Sequence, residues 1–156
     1  MAKRRLRGWN PPLENINAMV ASGGPRLLAR ARELVVTNGY AANAAEAFAA
    51  NLVGDGIKPS SLIGDADLRD RVQRLWLAWT DEADADGLTD FYGLQAMVAR
   101  EMFVAGECFV RLRPRRAEDG LPVALQLQLL QSEMLPFEKT EAAANGNRIR
   151  CGIEFD

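Results

Sequence analysis

Apolar residues recur at helical spacing through the first two thirds of the chain. Stripes of the i, i+3, i+4 type predict four consecutive helices, most of them followed by a glycine that would end the helix. The predicted helices start near Ser22, Ala42, Asp65 and Asp90. In the first of them, Pro25 is expected to occupy the first turn, where its missing N–H costs nothing.

The third predicted helix has the clearest amphipathic pattern. Its large apolar residues fall within an arc of roughly 100° on one face, as in a helix that lies on a core. They are Leu68, Val72, Leu75, Trp76 and Trp79. Because two tryptophans share this face, Trp76 and Trp79 are predicted to form the centre of the core.

After Gly106 the apolar spacing changes from the helical period to two. Alternation at residues 107–113 and 123–130 predicts two antiparallel strands, and residues 118–120 carry a turn signal between them. A third strand is predicted at residues 148–155, with Ile149, Cys151, Ile153 and Phe155 on one face. Helices followed by antiparallel strands define an α+β fold class.

The expected organisation has three parts. Residues 1–21 are predicted to be a basic N-terminal arm, because they show no apolar period and contain glycine and two prolines. Residues 22–106 are predicted to be helical. Residues 107–156 are predicted to be an antiparallel strand region, apparently truncated at its C-terminal end, because the last strand has no partner beyond it.

The composition is that of one soluble globular domain, with 156 residues of which 48% are hydrophobic. No apolar run approaches the roughly 20 residues needed to cross a bilayer, and no signal peptide is recognisable. We therefore expect a protein of the cytoplasm with no membrane partner. Cys108 and Cys151 are then expected to be small buried hydrophobes more often than a disulfide.

The chain contains no histidine. This excludes Ser-His-Asp and Cys-His catalysis and every histidine-containing zinc site. The glycines at residues 53–56 lack the lysine and the serine or threonine of a phosphate-binding loop. The sequence thus predicts no enzyme, no cofactor and no metal.

The acidic linker at residues 82–90 partly resembles a calcium-binding EF-hand loop, with carboxylates at loop positions 1, 3, 5 and 9 and glycine at position 6. Position 12, which should be a bidentate glutamate, is Gly93. The better-supported interpretation is a solvated acidic turn in which Asp90 caps the fourth helix.

Charge is unevenly distributed. Residues 1–32 carry seven basic residues and one acidic residue, whereas residues 65–90 carry eight acidic and three basic residues. Such polarity suits contact with a polyanion or head-to-tail contact between copies, although two solvated faces would also explain it. The candidate contact residues, for DNA or for a neighbouring subunit, are Lys3, Arg4, Arg5 and Arg7. A second cluster of arginines, at residues 111–116, is explained by protection of a strand edge.

Several segments, taken in order, resemble the lambda-type bacteriophage portal family. They are RRLRGWNPP at residues 4–12, RARELV at 30–35, NGYAANA at 38–44, NLVGDGIKP at 51–59, WTDEADADG at 79–87, DFYGLQ at 90–95, GECFVR at 106–111, LQLQLL at 125–130 and NGNRIRCGIEF at 145–155. Each segment alone is weakly specific, but together they cover nearly the whole chain.

The resemblance implies the start of a portal wing region and a structural role without catalysis. Portal subunits form a ring, usually dodecameric, at one capsid vertex. There the ring contacts capsid and scaffold proteins, docks terminase and passes double-stranded DNA through its channel. The expected location is the virion, with assembly in the bacterial host cytoplasm. The stem, clip and crown of such portals would follow Asp156, and no catalytic residue can be transferred.

Deleting residues 1–8 separates the portal hypothesis from the alternative, a nucleic-acid-binding module that acts through the basic arm. A DNA-binding module should lose salt-sensitive DNA affinity on this deletion, because its arginines and lysine would no longer displace counterions. A portal segment should lose mainly assembly. Titration of duplex DNA at several salt concentrations, with light scattering on the same samples, measures both properties.

Overall fold

A computed structural model describes residues 13–156, so the predicted arm contacts at Lys3, Arg4, Arg5 and Arg7 lie outside the described residues. The order is four helices, then strands: α1 (Ile16–Thr37), α2 (Gly39–Val53), α3 (Ala66–Asp81), α4 (Phe91–Val104), β1 (Phe109–Pro114), β2 (Leu125–Leu130), β3 (Glu141–Ala142), β4 (Arg148–Arg150) and β5 (Ile153–Phe155). This order confirms the predicted α+β class. No helix among the described residues has the length and apolarity needed to cross a membrane.

The described residues form two compact units whose boundaries differ from the expected division at residue 106. One unit is Leu28–Leu135, which contains most of the helical residues together with the β1–β2 hairpin. The other comprises residues 13–27 and Pro136–Asp156. The difference arises because the β1–β2 hairpin packs with the helices that precede it, through Leu127 and Leu129.

Helix α1 begins at Ile16, so the expectation of an arm that extends to residue 21 is wrong for its last six residues. The Asn15 side chain accepts a hydrogen bond from the Asn17 N–H, and the Asn15 carbonyl accepts from Ala18 and Met19. Asn15 therefore caps α1, six residues or more before the start predicted near Ser22. Pro25 lies inside the helix and not in its first turn.

Helices α2 and α4 pack against each other through small side chains. Ala45 and Ala49 of α2 are buried, and the rings of Phe48 and Phe103 lie 5.1 Å apart. Helix α2 starts at Gly39 because the Asn38 side chain caps it, accepting from the N–H groups of Tyr40 and Ala41. Asn38 thus separates α1 from α2, at the position where the sequence predicts an interruption.

The core of the larger unit is centred on Trp79, Ala83 and Leu94. Trp76 and Phe91 pack on this centre, with Trp76–Phe91 and Trp79–Phe91 ring centroids each 5.2 Å apart. The indole N–H of Trp79 donates to the carbonyl of Leu125 in β2 over 2.6 Å. The prediction that the two tryptophans form the centre of the core is confirmed for Trp79, whereas Trp76 is partly buried and packs against that centre.

The first half of the α3 stripe is less buried than expected. Leu68, Val72 and Leu75 keep 45%, 38% and 49% of their surface exposed. Only the C-terminal end of α3 packs against the core centre, where Trp76 and Trp79 lie. The sequence pattern identifies an apolar face but does not indicate how much of it another element covers.

Strands β1 and β2 form an antiparallel hairpin with the predicted side-chain alternation. Val110 lies opposite Leu129 and Leu112 opposite Leu127, so one face of the hairpin is apolar. Arg111 lies opposite Gln128, which makes the other face polar. The turn runs through a 3-10 turn at Ala117–Asp119 and ends at Gly120 with a positive φ of 72°.

The third predicted strand is in fact two strands. Residues Cys151 and Gly152 have φ values of 48° and 80°, which make a tight two-residue turn between β4 and β5. Strand β4 pairs with both β3 and β5 in an antiparallel sheet. Ile149 therefore lies opposite Glu154 and is buried, whereas Ile153 and Phe155 remain half-exposed. Cys108 and Cys151 are both free thiols, and neither is fully buried.

Replacing Trp79 by alanine should destabilise the protein by about 3–5 kcal/mol, because the change removes a buried aromatic side chain. The expected loss for Trp76→Ala is smaller, since that side chain is only partly buried. Urea denaturation followed by circular dichroism measures both, with the half-exposed Leu77→Ala as the matched control. A Trp79→Ala variant as stable as Leu77→Ala would contradict this account of the core.

Candidate functional site

The acidic linker between α3 and α4 is organised around one buried carboxylate. Asp84 is only 6% exposed, and its side chain accepts hydrogen bonds from the backbone N–H groups of Asp86, Leu88 and Thr89. Such bonds compensate a carboxylate for the water it loses on burial. The expectation of a fully solvated turn is therefore wrong at Asp84, whereas Asp90 caps α4 through the Gly93 N–H as predicted.

The same linker lacks the geometry of an EF-hand. A side chain at position 93 would collide with the Thr89 side chain, so this position cannot accommodate the glutamate that a calcium loop requires there. Among residues 13–156, no group of three or more acidic, cysteine or histidine side chains is placed to hold a metal ion. The linker instead bonds to the hairpin: Leu127 donates to the Ala83 carbonyl, and the Ala85 N–H donates to the Leu127 carbonyl.

An arginine joins three distant segments of the larger unit. The Arg32 guanidinium in α1 donates two hydrogen bonds of 2.6 Å to Glu101 in α4. It donates two more, of 2.7 and 2.9 Å, to Glu133 in the 3-10 turn that follows β2. Bidentate pairing on both sides fixes the guanidinium plane, so the second half of α1 is held to α4 and to this turn.

The electrostatics of this junction follow from the shared guanidinium. Hydrogen bonds from Arg32 hold the pKa of the Glu133 carboxyl below its ordinary value. The same bonds, to Glu133 first and then Glu101, raise the pKa of Arg32. Beside the junction, burial raises the pKa of the Cys108 thiol, and the Glu101 carboxylate adds to that effect. A thiol kept protonated in this way is a poor nucleophile.

The polar face of the hairpin carries a row of arginines, which we call the arginine face: Arg111, Arg113 and Arg115. Arg113 donates to the Gln128 side chain over 3.1 Å, and Arg115 donates to Gln126 over 2.8 Å. No carboxylate among the described residues lies within ion-pair distance of these three arginines. The sequence cluster at residues 111–116 is thus partly assembled into a single positively charged surface.

On the other face of the hairpin lies an apolar cavity of about 330 Å³ between α2, α4 and the two strands. Gln95 is its one polar lining residue, and its amide is already hydrogen-bonded to the N–H and carbonyl of Ile57. The cavity offers no polar group that could orient a substrate for chemistry. Its lining is Leu52, Val53, Ile57, Phe91, Leu94, Gln95, Val98, Ala99, Met102, Val110, Leu127 and Leu129.

Together these features are those of a structural module with large contact surfaces. The apolar cavity and the arginine face occupy opposite sides of one hairpin, and the Arg32 junction joins α1 to α4 and to the turn after β2. The junction could not be predicted from the sequence, because its partners lie 69 and 101 residues from Arg32 along the chain. Two members of the arginine face could be predicted, because Arg111 and Arg113 alternate along the strand predicted at residues 107–113.

Comparison with known proteins identifies the class to which this module belongs. The family model described as "Phage portal protein, lambda family" matches residues 2–156. The chain therefore belongs to the lambda family of phage portal proteins, which confirms the resemblance drawn from its motifs.

Two curated relatives are similar to part of the chain. The "Portal protein" of Escherichia phage N15 is 36% identical over 59% of this chain. The "Portal protein B" of Escherichia phage lambda is 35% identical over 53% of it. The matched segments cover 18% and 17% of those two proteins, so the chain matches less than a fifth of the length of either relative.

Replacing Glu133 by glutamine should lower stability at neutral pH and have little effect in acid. A carboxyl whose pKa is depressed in the folded state stabilises the fold above its unfolded pKa, and this contribution is lost as pH falls through the folded value. The melting-temperature difference between the parent and Glu133→Gln should therefore shrink as pH falls from about 5 to about 3. Because the Glu133 side chain is 42% exposed, the difference at pH 7 should be at most about 1 kcal/mol.

The control for this measurement is Glu118→Gln. Glu118 lies in the 3-10 turn of the hairpin, and its carboxylate forms no ion pair with a described residue. Its melting temperature should follow that of the parent at every pH. A constant difference between the parent and Glu133→Gln from pH 7 to pH 3 would contradict the assigned role of Glu133.

Proposed function

We propose that this chain is part of a structural portal protein, the ring-forming subunit at one capsid vertex through which phage DNA is packaged and ejected. The observation that carries the proposal is the family match, which extends over residues 2–156. The matching relatives are themselves named portal proteins. The family implies a ring, usually dodecameric, in the virion, which is assembled in the host cytoplasm.

The surfaces of the chain support an assembly role. Large apolar side chains remain exposed on α2, α4 and β1, including Leu52 at 50%, Met102 at 49% and Leu112 at 64%. Contiguous exposed apolar surface marks a site of contact with other protein. We therefore propose that these faces are covered in the assembled portal, by neighbouring subunits or by other segments of the same polypeptide.

The proposed role is non-enzymatic. The chain has no histidine, and the cavity is lined almost entirely by apolar side chains. We propose that the ATP-driven work of packaging belongs to terminase, which docks on the ring. Capsid and scaffold proteins and the transported double-stranded DNA are the other proposed partners. The basic residues Lys3, Arg4, Arg5 and Arg7 are proposed to contact either the adjacent subunit or that DNA.

A chimeric portal tests the proposal. The segment of the lambda portal protein that aligns with this chain is replaced by the chain, and assembly is followed by mass photometry and negative-stain electron microscopy. We expect one discrete species of many subunits, because a segment from the same family should restore the missing contacts. Plaque formation then reports whether the ring packages DNA.

The matched control is the same exchange made with the corresponding segment of the phage N15 portal protein. It shows whether the lambda protein tolerates replacement of this region by a relative. If the N15 chimera forms rings while the chimera that carries this chain gives only monomers, the proposal is wrong.

A further inference from the structure

The outer edge of β1 has free backbone groups. The Arg115 N–H donates to the Ala124 carbonyl over 2.9 Å, and the β1–β2 register continues from this pair. In an antiparallel ladder, hydrogen-bonded pairs alternate with non-bonded pairs. The backbone groups of Arg111 and Arg113 therefore bond to β2. The N–H and C=O groups of Val110 and Leu112 point away from β2. Within the unit formed by residues 28–135, neither the N–H nor the C=O of Val110 or Leu112 has a backbone partner.

The apolar side of this edge is also uncovered. Across the hairpin, Leu127 and Leu129 pack against the Trp79 core. Val110 and Leu112 on β1, in contrast, are 47% and 64% exposed, and Val110 lines the apolar cavity. The apolar face of the hairpin is thus covered over β2 and open over β1.

The other side of the same edge is positively charged. Arg111 and Arg113 belong to the arginine face, which has no carboxylate within ion-pair distance among the described residues. The side chain of Gln128, which lies opposite Arg111, donates to the Asp86 carboxylate over 3.0 Å. The charges of Arg111 and Arg113 and the missing N–H of Pro114 discourage nonspecific pairing at this edge, whereas Val110 and Leu112, on its apolar side, are uncharged.

We propose that β1 accepts an added β-strand from a partner chain, an extended segment in which apolar residues alternate with aspartate or glutamate. Backbone groups of the added strand bond to Val110 and Leu112. Its apolar side chains extend the open apolar face above the cavity, and its carboxylates meet Arg111 and Arg113. Pro114, which has no N–H, ends the site at the C-terminal side of β1. The proposal does not depend on the ring assembly proposed above.

The probe is a capped nonapeptide with the sequence Thr-Glu-Val-Glu-Val-Glu-Val-Glu-Thr, compared with a counterpart in which lysine replaces every glutamate. Isothermal titration calorimetry measures both against the 156-residue chain. The acidic peptide should bind about tenfold tighter, as expected for two partly exposed charge pairs. The double variant Arg111→Glu, Arg113→Glu should reverse this preference.

A second pair of variants tests the backbone pairing. Val110→Pro removes an outward N–H that makes no bond to β2, whereas the matched control Val110→Ala keeps it. The proline variant should bind the acidic peptide at least about tenfold more weakly than the alanine variant. Thermal melting confirms that each variant is folded, and the arginine variants remain a complete test if the proline variant is not.

Three results would overturn the proposal. The first is equal binding of the acidic and basic peptides, and the second is equal binding by folded Val110→Pro and Val110→Ala. The third is binding of a short DNA duplex that is lost in the arginine double variant while neither peptide binds. That result would make the arginine face a nucleic-acid surface.

Discussion

The structure of residues 28–135 depends on the contact between Trp79 and strand β2. Burying the indole removes a large apolar area from water, and its N–H donates to the Leu125 carbonyl over 2.6 Å. A buried indole donor without an acceptor would cost about 1–3 kcal/mol, so helix and strand hold each other in one register. Close by, the two hydrogen bonds between Leu127 and the linker residues Ala83 and Ala85 fix the same register through the backbone.

This register determines where the contact surfaces lie. Once Leu127 and Leu129 face the tryptophan, side-chain alternation places Gln126 and Gln128 on the opposite face, beside the arginines of β1. A shift of one residue would exchange the two faces and bury the arginines. The buried Asp84 supports the register, because its three backbone hydrogen bonds hold the linker in the shape that bonds to β2.

Local signals in the sequence were sufficient for most elements of the fold. The start of α3 at its Asp65 cap, the start of α4 at its Asp90 cap and the β1–β2 hairpin each depend on residues close together in the chain. The start of α1 was missed because Asn15 caps it and the helix accommodates Pro25. The β4–β5 turn was missed because Cys151, a non-glycine residue, adopts a positive φ. Neither the burial of Asp84 nor the pairing of Arg32 has a local signature, since both depend on contacts made only after the chain has folded.

The position of Arg32 has a consequence for synthesis of the protein. Its partner Glu133 lies 101 residues later, so at roughly 5–20 residues per second the second half of α1 leaves the ribosome about 5–20 seconds before its last ion-pair partner. During that interval its guanidinium has no Glu133 to bind, and α1 cannot yet be joined to the turn after β2. Final attachment of the first helix is thus among the last events in the folding of residues 28–135, although the helix itself is made first.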